Sequence, residues 1–153
     1  MSYTGVSVQN RQARHEYFVL ETYECGISLA GTEVKSVRGG AVNLKEAFCV
    51  IDGGEMLIKQ MHISPFDKAH GFNHDPTRPR RLLLHRSEIR RLSAQVKQKG
   101  LTLIPLSMYS KGRLIKMSVG LCQGKKLHDK RDAAAKRDSD MEMRKALKER
   151  NAR

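Results

Sequence analysis

The chain changes physical character at Gly124-Lys125-Lys126-Leu127-His128-Asp129-Lys130-Arg131, and that change limits what either side of it can become. Before this stretch, glycines, prolines and apolar runs alternate in the manner of a compact β-rich domain. From Lys125 to Arg153 there is no Gly, Pro, Phe, Tyr or Trp, only alternating charge among good helix formers. Residues 125–153 carry 11 Lys and Arg against 6 Asp and Glu. So little apolar surface does not offset the ordering entropy of a free segment, so a tail that is disordered alone or helical on a partner is expected. The expected organisation is a flexible lead-in over residues 1–9, a folded body over 10–124 and a basic tail over 125–153.

Charge then narrows the partner. The whole chain holds 29 Lys and Arg against 16 Asp and Glu, a formal net charge of +13. A body this cationic repels itself, and a polyanion, above all a nucleic acid, relieves the repulsion. Cys25, Cys49 and Cys122 are far apart and form no Cys-x-x-Cys or Cys/His spacing, so they read as small buried hydrophobes in a reducing compartment. The N-terminal residues lack the cationic and apolar regions of a signal peptide, and no apolar run reaches bilayer length. A cytoplasmic protein without a membrane partner, metal or cofactor is expected.

Within the body, alternation of Tyr17, Val19, Glu21 and Tyr23 with Phe18, Leu20 and Thr22 predicts a strand. Gly26 and Gly31 bracket a predicted short strand, Ile27-Ser28-Leu29, and residues 32–38 predict one to two helical turns ended by Gly39-Gly40. Two apolar runs, Ala47–Ile51 and Met56–Ile63, flank Asp52-Gly53-Gly54-Glu55, the signature of a tight hairpin. Leu82-Leu83-Leu84 reads as a short buried run. His85 to Lys99 predicts a helix with Ile89, Leu92 and Val96 on one face, Arg90, Arg91, Lys97 and Lys99 on the other, and Gly100 as its cap. Leu101–Tyr109 and Leu114–Leu121 predict a second hairpin across Ser110-Lys111-Gly112-Arg113. About six short strands with two helices are the pattern of a small closed antiparallel β-barrel.

Catalytic signatures are absent from the sequence. His70 and His74 lie four apart, but Gly71 and Pro76 break any helix that would put them on one face, and no Gly-x-Ser-x-Gly or phosphate-binding loop occurs. RNA binding fits better: Arg78, Arg80 and Arg81 with the helix cations can track phosphates, and His15, Tyr17 and Phe72 can stack on unpaired bases. A ribosomal barrel protein bound permanently to rRNA, and an RNA-processing enzyme using His70 or His74, are the alternatives that composition leaves open.

Five words in order sharpen this: Asn10-Arg11-Gln12-Ala13-Arg14-His15-Glu16-Tyr17, Gly31-Thr32-Glu33-Val34-Lys35-Ser36, Asn73-His74-Asp75-Pro76-Thr77-Arg78, Arg81-Leu82-Leu83-Leu84-His85 and Gly124 to Arg131. Together, over roughly residues 10–150, the chain resembles the small protein B family, the tmRNA-binding (SsrA-binding) proteins of bacterial trans-translation. The resemblance implies an oligonucleotide-binding (OB) barrel with added helices. It implies a protein, monomeric when free, that binds the tRNA-like domain of tmRNA, fills the space of its missing anticodon arm and brings it to the A site of a stalled ribosome. There the tail would lie in the empty mRNA channel, and the nascent peptide would be tagged for degradation; no catalysis is implied. The family's tmRNA-contacting positions fall on His15, Glu24, Leu83, His85 and Lys116. Physical roles for them are stacking or donation by His15, acceptance from a base amine by Glu24 and phosphate neutralisation by Lys116. Leu83 reads equally well as core. The positions at the 16S rRNA decoding centre and in the mRNA channel fall on Lys125, Lys126, His128, Asp129, Lys130 and Arg131, with His128 the one that stacks on rRNA.

Overall fold

The structure, a computed structural model, describes residues 6–66 and 73–125. Contacts divide the chain into two units, residues 1–123 and 124–153. In chain order the elements are β1 (Ser7–Gln9), α1 (Ala13–Glu16), β2 (Tyr17–Ile27), α2 (Gly31–Arg38), β3 (Val42–Asn43), β4 (Phe48–Asp52), β5 (Glu55–Lys59), β6 (His62–Ile63), β7 (Arg80–Leu83), α3 (Arg86–Lys99), β8 (Thr102–Lys111) and β9 (Leu114–Gly124). The protein is mainly β. Its large antiparallel sheet has the order β1-β8-β4-β5-β7-β2-β9, and β9 also pairs with β8, so six strands form a ring with β1 added beside β8. β3 and β6 form a separate two-stranded sheet.

Turn chemistry explains much of this path. Asp52 pairs with Glu55 across Gly53 and Gly54, whose φ values of +59° and +79° are those a two-residue hairpin of this twist requires. The second hairpin is tighter than expected. Lys111 pairs with Leu114, leaving only Gly112 (φ +61°) and Arg113 in the turn instead of four residues. α3 ends at Gly100, which is left-handed as the sequence predicts, and it buries Ile89 and Leu92.

Four expectations are corrected. Ser7–Gln9 is a strand paired with Ser107–Tyr109, so part of the expected lead-in is held by the sheet. β2 is one 11-residue strand running through Gly26, not two segments broken by it. Its Gly26 is there for packing: a Cβ at this position would stand 3.2 Å from the Cβ of Leu83, its partner on β7. The Met56–Ile63 run splits, because Gln60 adopts φ +58° and turns the chain out of the large sheet into the pairing of β6 with β3. Leu82-Leu83-Leu84 is not uniformly buried. Leu82 is 2% exposed while Leu83 is 45% exposed, as strand alternation dictates.

The core gathers Cys25, Val37, Met56, Ile58, Met61, Leu92, Leu103, Met108, Met117 and Leu121, among others, into one buried cluster. A smaller cluster of Ala13, Ile104, Leu106 and Cys122 lies under α1. Between them Asn10 acts as a staple, its Nδ2 donating to the carbonyls of Leu44 (3.2 Å) and Pro105 (2.9 Å). The register of β8 shifts between Pro105 and Ser107, at the residue that has no backbone N–H to give a ladder. The three cysteines are buried free thiols, and desolvation pushes Cys25 up to about 12 and Cys122 up to about 11. They stay protonated and inert at neutral pH. Among the described residues no helix is long and apolar enough to cross a membrane.

Candidate nucleic-acid interface

Arginines expected to track phosphates prove to be of two kinds. Arg80 is 0% exposed, and its guanidinium is paired with the equally buried carboxylate of Glu33 on α2. Arg80 also donates to the carbonyls of Met61 (2.7 Å), Pro76 (3.1 Å) and Asp75 (3.3 Å). Arg78 pairs with the same carboxylate, which further accepts the Ala30 N–H at 2.8 Å. Desolvation pushes the Glu33 carboxyl up, but its bonds to Arg78, the Ala30 N–H and Arg80 outweigh that and hold it below the usual range. The expectation that Arg78, Arg80 and Arg81 form one basic RNA-facing cluster is therefore corrected. Arg80 and Arg78 pin the 73–80 segment to α2; Arg80 is fully buried, Arg78 stays partly exposed, and Arg81 is exposed, 3.3 Å from Glu55.

His74 belongs to the same framework. Its Nε2–H donates to the Ile63 carbonyl at 2.9 Å, which leaves Nδ1 to accept from the Thr32 hydroxyl at 2.9 Å. Both ring nitrogens are engaged in holding strand β6 to helix α2. Among the described residues no group of three His, Cys, Asp or Glu is placed to hold a metal; His70 and Phe72 lie outside them. Tyr17, read as a stacking ring, is half-buried against the Ala13 cluster.

Glu24 has a different environment. It sits on the outward side of β2, exposed, and accepts from the Tyr109 hydroxyl and, at 3.2 Å, from Lys111 Nζ. The bond from Tyr109, followed by that from Lys111, holds the Glu24 carboxyl below its usual range, with Lys116 contributing through space. Desolvation and then the bond to Glu24 push Tyr109 up to about 12. Lys116 stands opposite Tyr109 in the β8–β9 ladder and is half-buried. An acidic residue in a basic protein is thus already explained by two donors. A carboxylate offers about four lone pairs, so it keeps acceptor capacity toward a ligand.

Leu83 and His85 fall around this cluster. Gly26 is two residues from Glu24 on the same side of β2 and is paired with Leu83, so the exposed Leu83 lies on the same outer stretch. His85, exposed, precedes α3, and its N–H donates to Glu88 Oε1 at 3.4 Å. The pairing of Gly26 with Leu83, of Tyr109 with Lys116 and the bond from Tyr109 to Glu24 thus gather Glu24, Leu83 and Lys116 from three neighbouring strands, with His85 following Leu83 two residues on. His15 stands apart: it is exposed on α1, and roughly 23 Å of strand separates the adjoining Tyr17 from Glu24. Lys125 is half-buried, while Lys126, His128, Asp129, Lys130 and Arg131 lie outside the described residues. Sequence reasoning missed Tyr109 and Lys111. The two-residue turn rule at Gly112 would have set Tyr109 opposite Lys116, but the approach of Glu24 is tertiary.

The chain is similar to known proteins over nearly its whole length. The family model described as SmpB protein matches residues 7–149. An SsrA-binding protein of Carboxydothermus hydrogenoformans is 51% identical over 95% of this chain and 97% of its own length. Those of Synechocystis sp. and Caldicellulosiruptor saccharolyticus are each 56% identical, over 91% and 94% of this chain and 91% of their own lengths. In a solved structure concerned with tmRNA-SmpB and the centre of the bacterial ribosome, one chain is 46% identical, with a TM-score of 0.68, over 84% of this chain and 94% of that one. With both the model match and the relatives spanning nearly its whole length, the chain belongs to the SmpB protein family.

Proposed function

We propose that this protein binds the tRNA-like domain of tmRNA, brings it to the A site of stalled ribosomes and places residues 125–153 in the empty mRNA channel, enabling ribosome rescue and tagging of the nascent peptide. The ring of six strands supports a closed OB-type barrel as the body. The observation that carries the reading is the group of the exposed Glu24 and Lys111 with the half-buried Tyr109 and Lys116 beside Leu83, which joins base acceptor, phosphate-neutralising cations and an apolar platform on one surface. Such a surface suits splayed RNA, whose bases stack and whose edges take hydrogen bonds. Relatives that carry the name SsrA-binding protein, and the tmRNA-SmpB neighbour, support the same partner. The protein supplies shape and charge, catalyses nothing, works in the cytoplasm and is a monomer when free.

In this reading His15 makes a separate contact at the other end of β2. Lys125, Lys126, His128, Asp129, Lys130 and Arg131 act at the decoding centre and along the channel. Binding of the purified chain to tmRNA, with tRNA and an unrelated RNA of equal length as competitors at physiological salt, tests the first half. Nanomolar preference for tmRNA is expected, and equal affinity for all three RNAs would reject it. Truncation before Asp129 tests the second half: RNA binding stays while peptide tagging is lost. Loss of RNA binding on truncation would end the proposed division of labour.

A further inference from the structure

Beside Leu83 the surface opens into a groove of about 500 Å³ between the β4–β5 turn and α3. Gly53 and Gly54 of the turn line it, as do Arg86 and Arg90 of α3 and Arg81 and Leu83 of β7. It continues along α3 into a second hollow bounded by Gly53, Gly54, Arg90, Ser93 and Lys97. Among the described residues, four cations line the two hollows against one carboxylate, Glu55, which is paired with Arg81. Among the described residues, no ion pair accounts for Arg86, Arg90 or Lys97. Arg86, Arg90 and Lys97 are exposed, and the face of α3 that packs inward carries Ile89 and Leu92 instead.

We propose that this groove carries a run of the sugar-phosphate backbone of the tRNA-like domain, held by Arg86, Arg90 and Lys97, alongside the nucleotides contacted at Leu83 and His85. The proposal rests on the tmRNA reading above and extends its interface from the strand surface onto α3. Three features favour a linear polyanion. Arg86, Arg90 and Lys97 fall on one stripe of the helix, about 6 Å and about 10 Å apart along its axis, which suits successive phosphates better than one anion. The turn that lines the groove with them is Gly-Gly, where a built Cβ would meet nothing within 4 Å, so a bulky backbone approaches without a side chain in its way. The guanidinium forks of Arg86 and Arg90 match phosphate oxygens in pairs. Continuity through Leu83, which lines the groove and faces the Glu24 surface, gives the strand its path.

The test is the full chain with Arg86→Gln and Arg90→Gln together, titrated with the isolated tRNA-like domain at several salt concentrations. Thermal unfolding should match the parent, since both side chains are exposed. Affinity should fall on the order of tenfold, and the slope of log affinity against log salt should become shallower by about 1.5 to 2, two phosphate contacts having been lost. The Arg86→Lys, Arg90→Lys pair should keep most of the slope. Unchanged affinity and slope in the Gln variant would overturn the groove, as would a loss seen only with ribosomes, which would make rRNA the source of the phosphates. A parent chain that binds the tRNA-like domain no better than unrelated RNA would instead reject the functional reading itself.

Discussion

Two carboxylates in this basic body, Glu33 and Glu24, each accept from a pair of side-chain donors, yet they do different work. Glu33, on α2, is buried against the fully buried Arg80 of β7 and the partly exposed Arg78 that precedes it. Glu24 lies open on β2 with Tyr109 and Lys111. In a one-dimensional reading both are single acids among cations. Burial separates them: an ion pair without water has no substitute partner when one member is removed, whereas an exposed one has solvent. The first is therefore part of the fold, and the second is free to exchange partners with a ligand.

Breaking the buried pair should have the largest effect. Arg80→Ala leaves the buried Glu33 carboxylate with only Arg78 and the Ala30 N–H, leaves the Met61, Asp75 and Pro76 carbonyls without this donor, and should lower stability by about 3–5 kcal/mol, measured by urea unfolding. A loss under about 1 kcal/mol, the range of exposed pairs such as Arg81–Glu55, would erase the contrast. Acid should act in the same place. The Glu33 carboxyl is held below its ordinary value of 4.5, so the stability it contributes is fully present above that pH and is lost as pH falls through the lowered value. The unfolding midpoint of the parent should drop there, and that of a Glu33→Gln, Arg80→Met variant should drop less.

Glu24→Ala should do the reverse, leaving the melting curve in place while weakening binding to the tRNA-like domain on the order of tenfold, as the loss of a base-edge contact does. Unchanged affinity there and in Lys116→Ala would show that the strand surface is not the interface. Tyr109→Phe should move the Glu24 titration upward toward 4.5 by NMR, because the bond that lowers it most is gone. The smallest effect belongs to Gly26→Ala: its Cβ would press on Leu83, shifting that exposed side chain and reducing RNA affinity a fewfold with little change in stability.

Much of the fold was legible because local rules act over a few residues. Gly53-Gly54 marks its hairpin, Gly100 ends α3, and the Ile89–Leu92 spacing gives the buried helix face. The misreadings came from places where a distant partner overrides the local signal. Gln60 leaves the strand because β6 is claimed by β3, and Gly26 continues one because Leu83 needs the room. At the site, the charge and the family words pointed to RNA and to Glu24, Leu83, His85 and Lys116. The words did not tell Arg80 from Arg81, adjacent residues of which one is sealed in the core and the other is exposed.

Sequence by itself determined the mainly β body, the strong positive charge and the membership of the chain in its family, because these follow from composition, period and ordered motifs. Only the tertiary structure decided which charges are consumed inside and which face out. A side chain's electrostatic worth depends on the water left around it, and the number of waters is set by elements far away in the chain: α2 closes over Arg80, while α3 and the β4–β5 turn leave Arg86 and Arg90 lining an open groove.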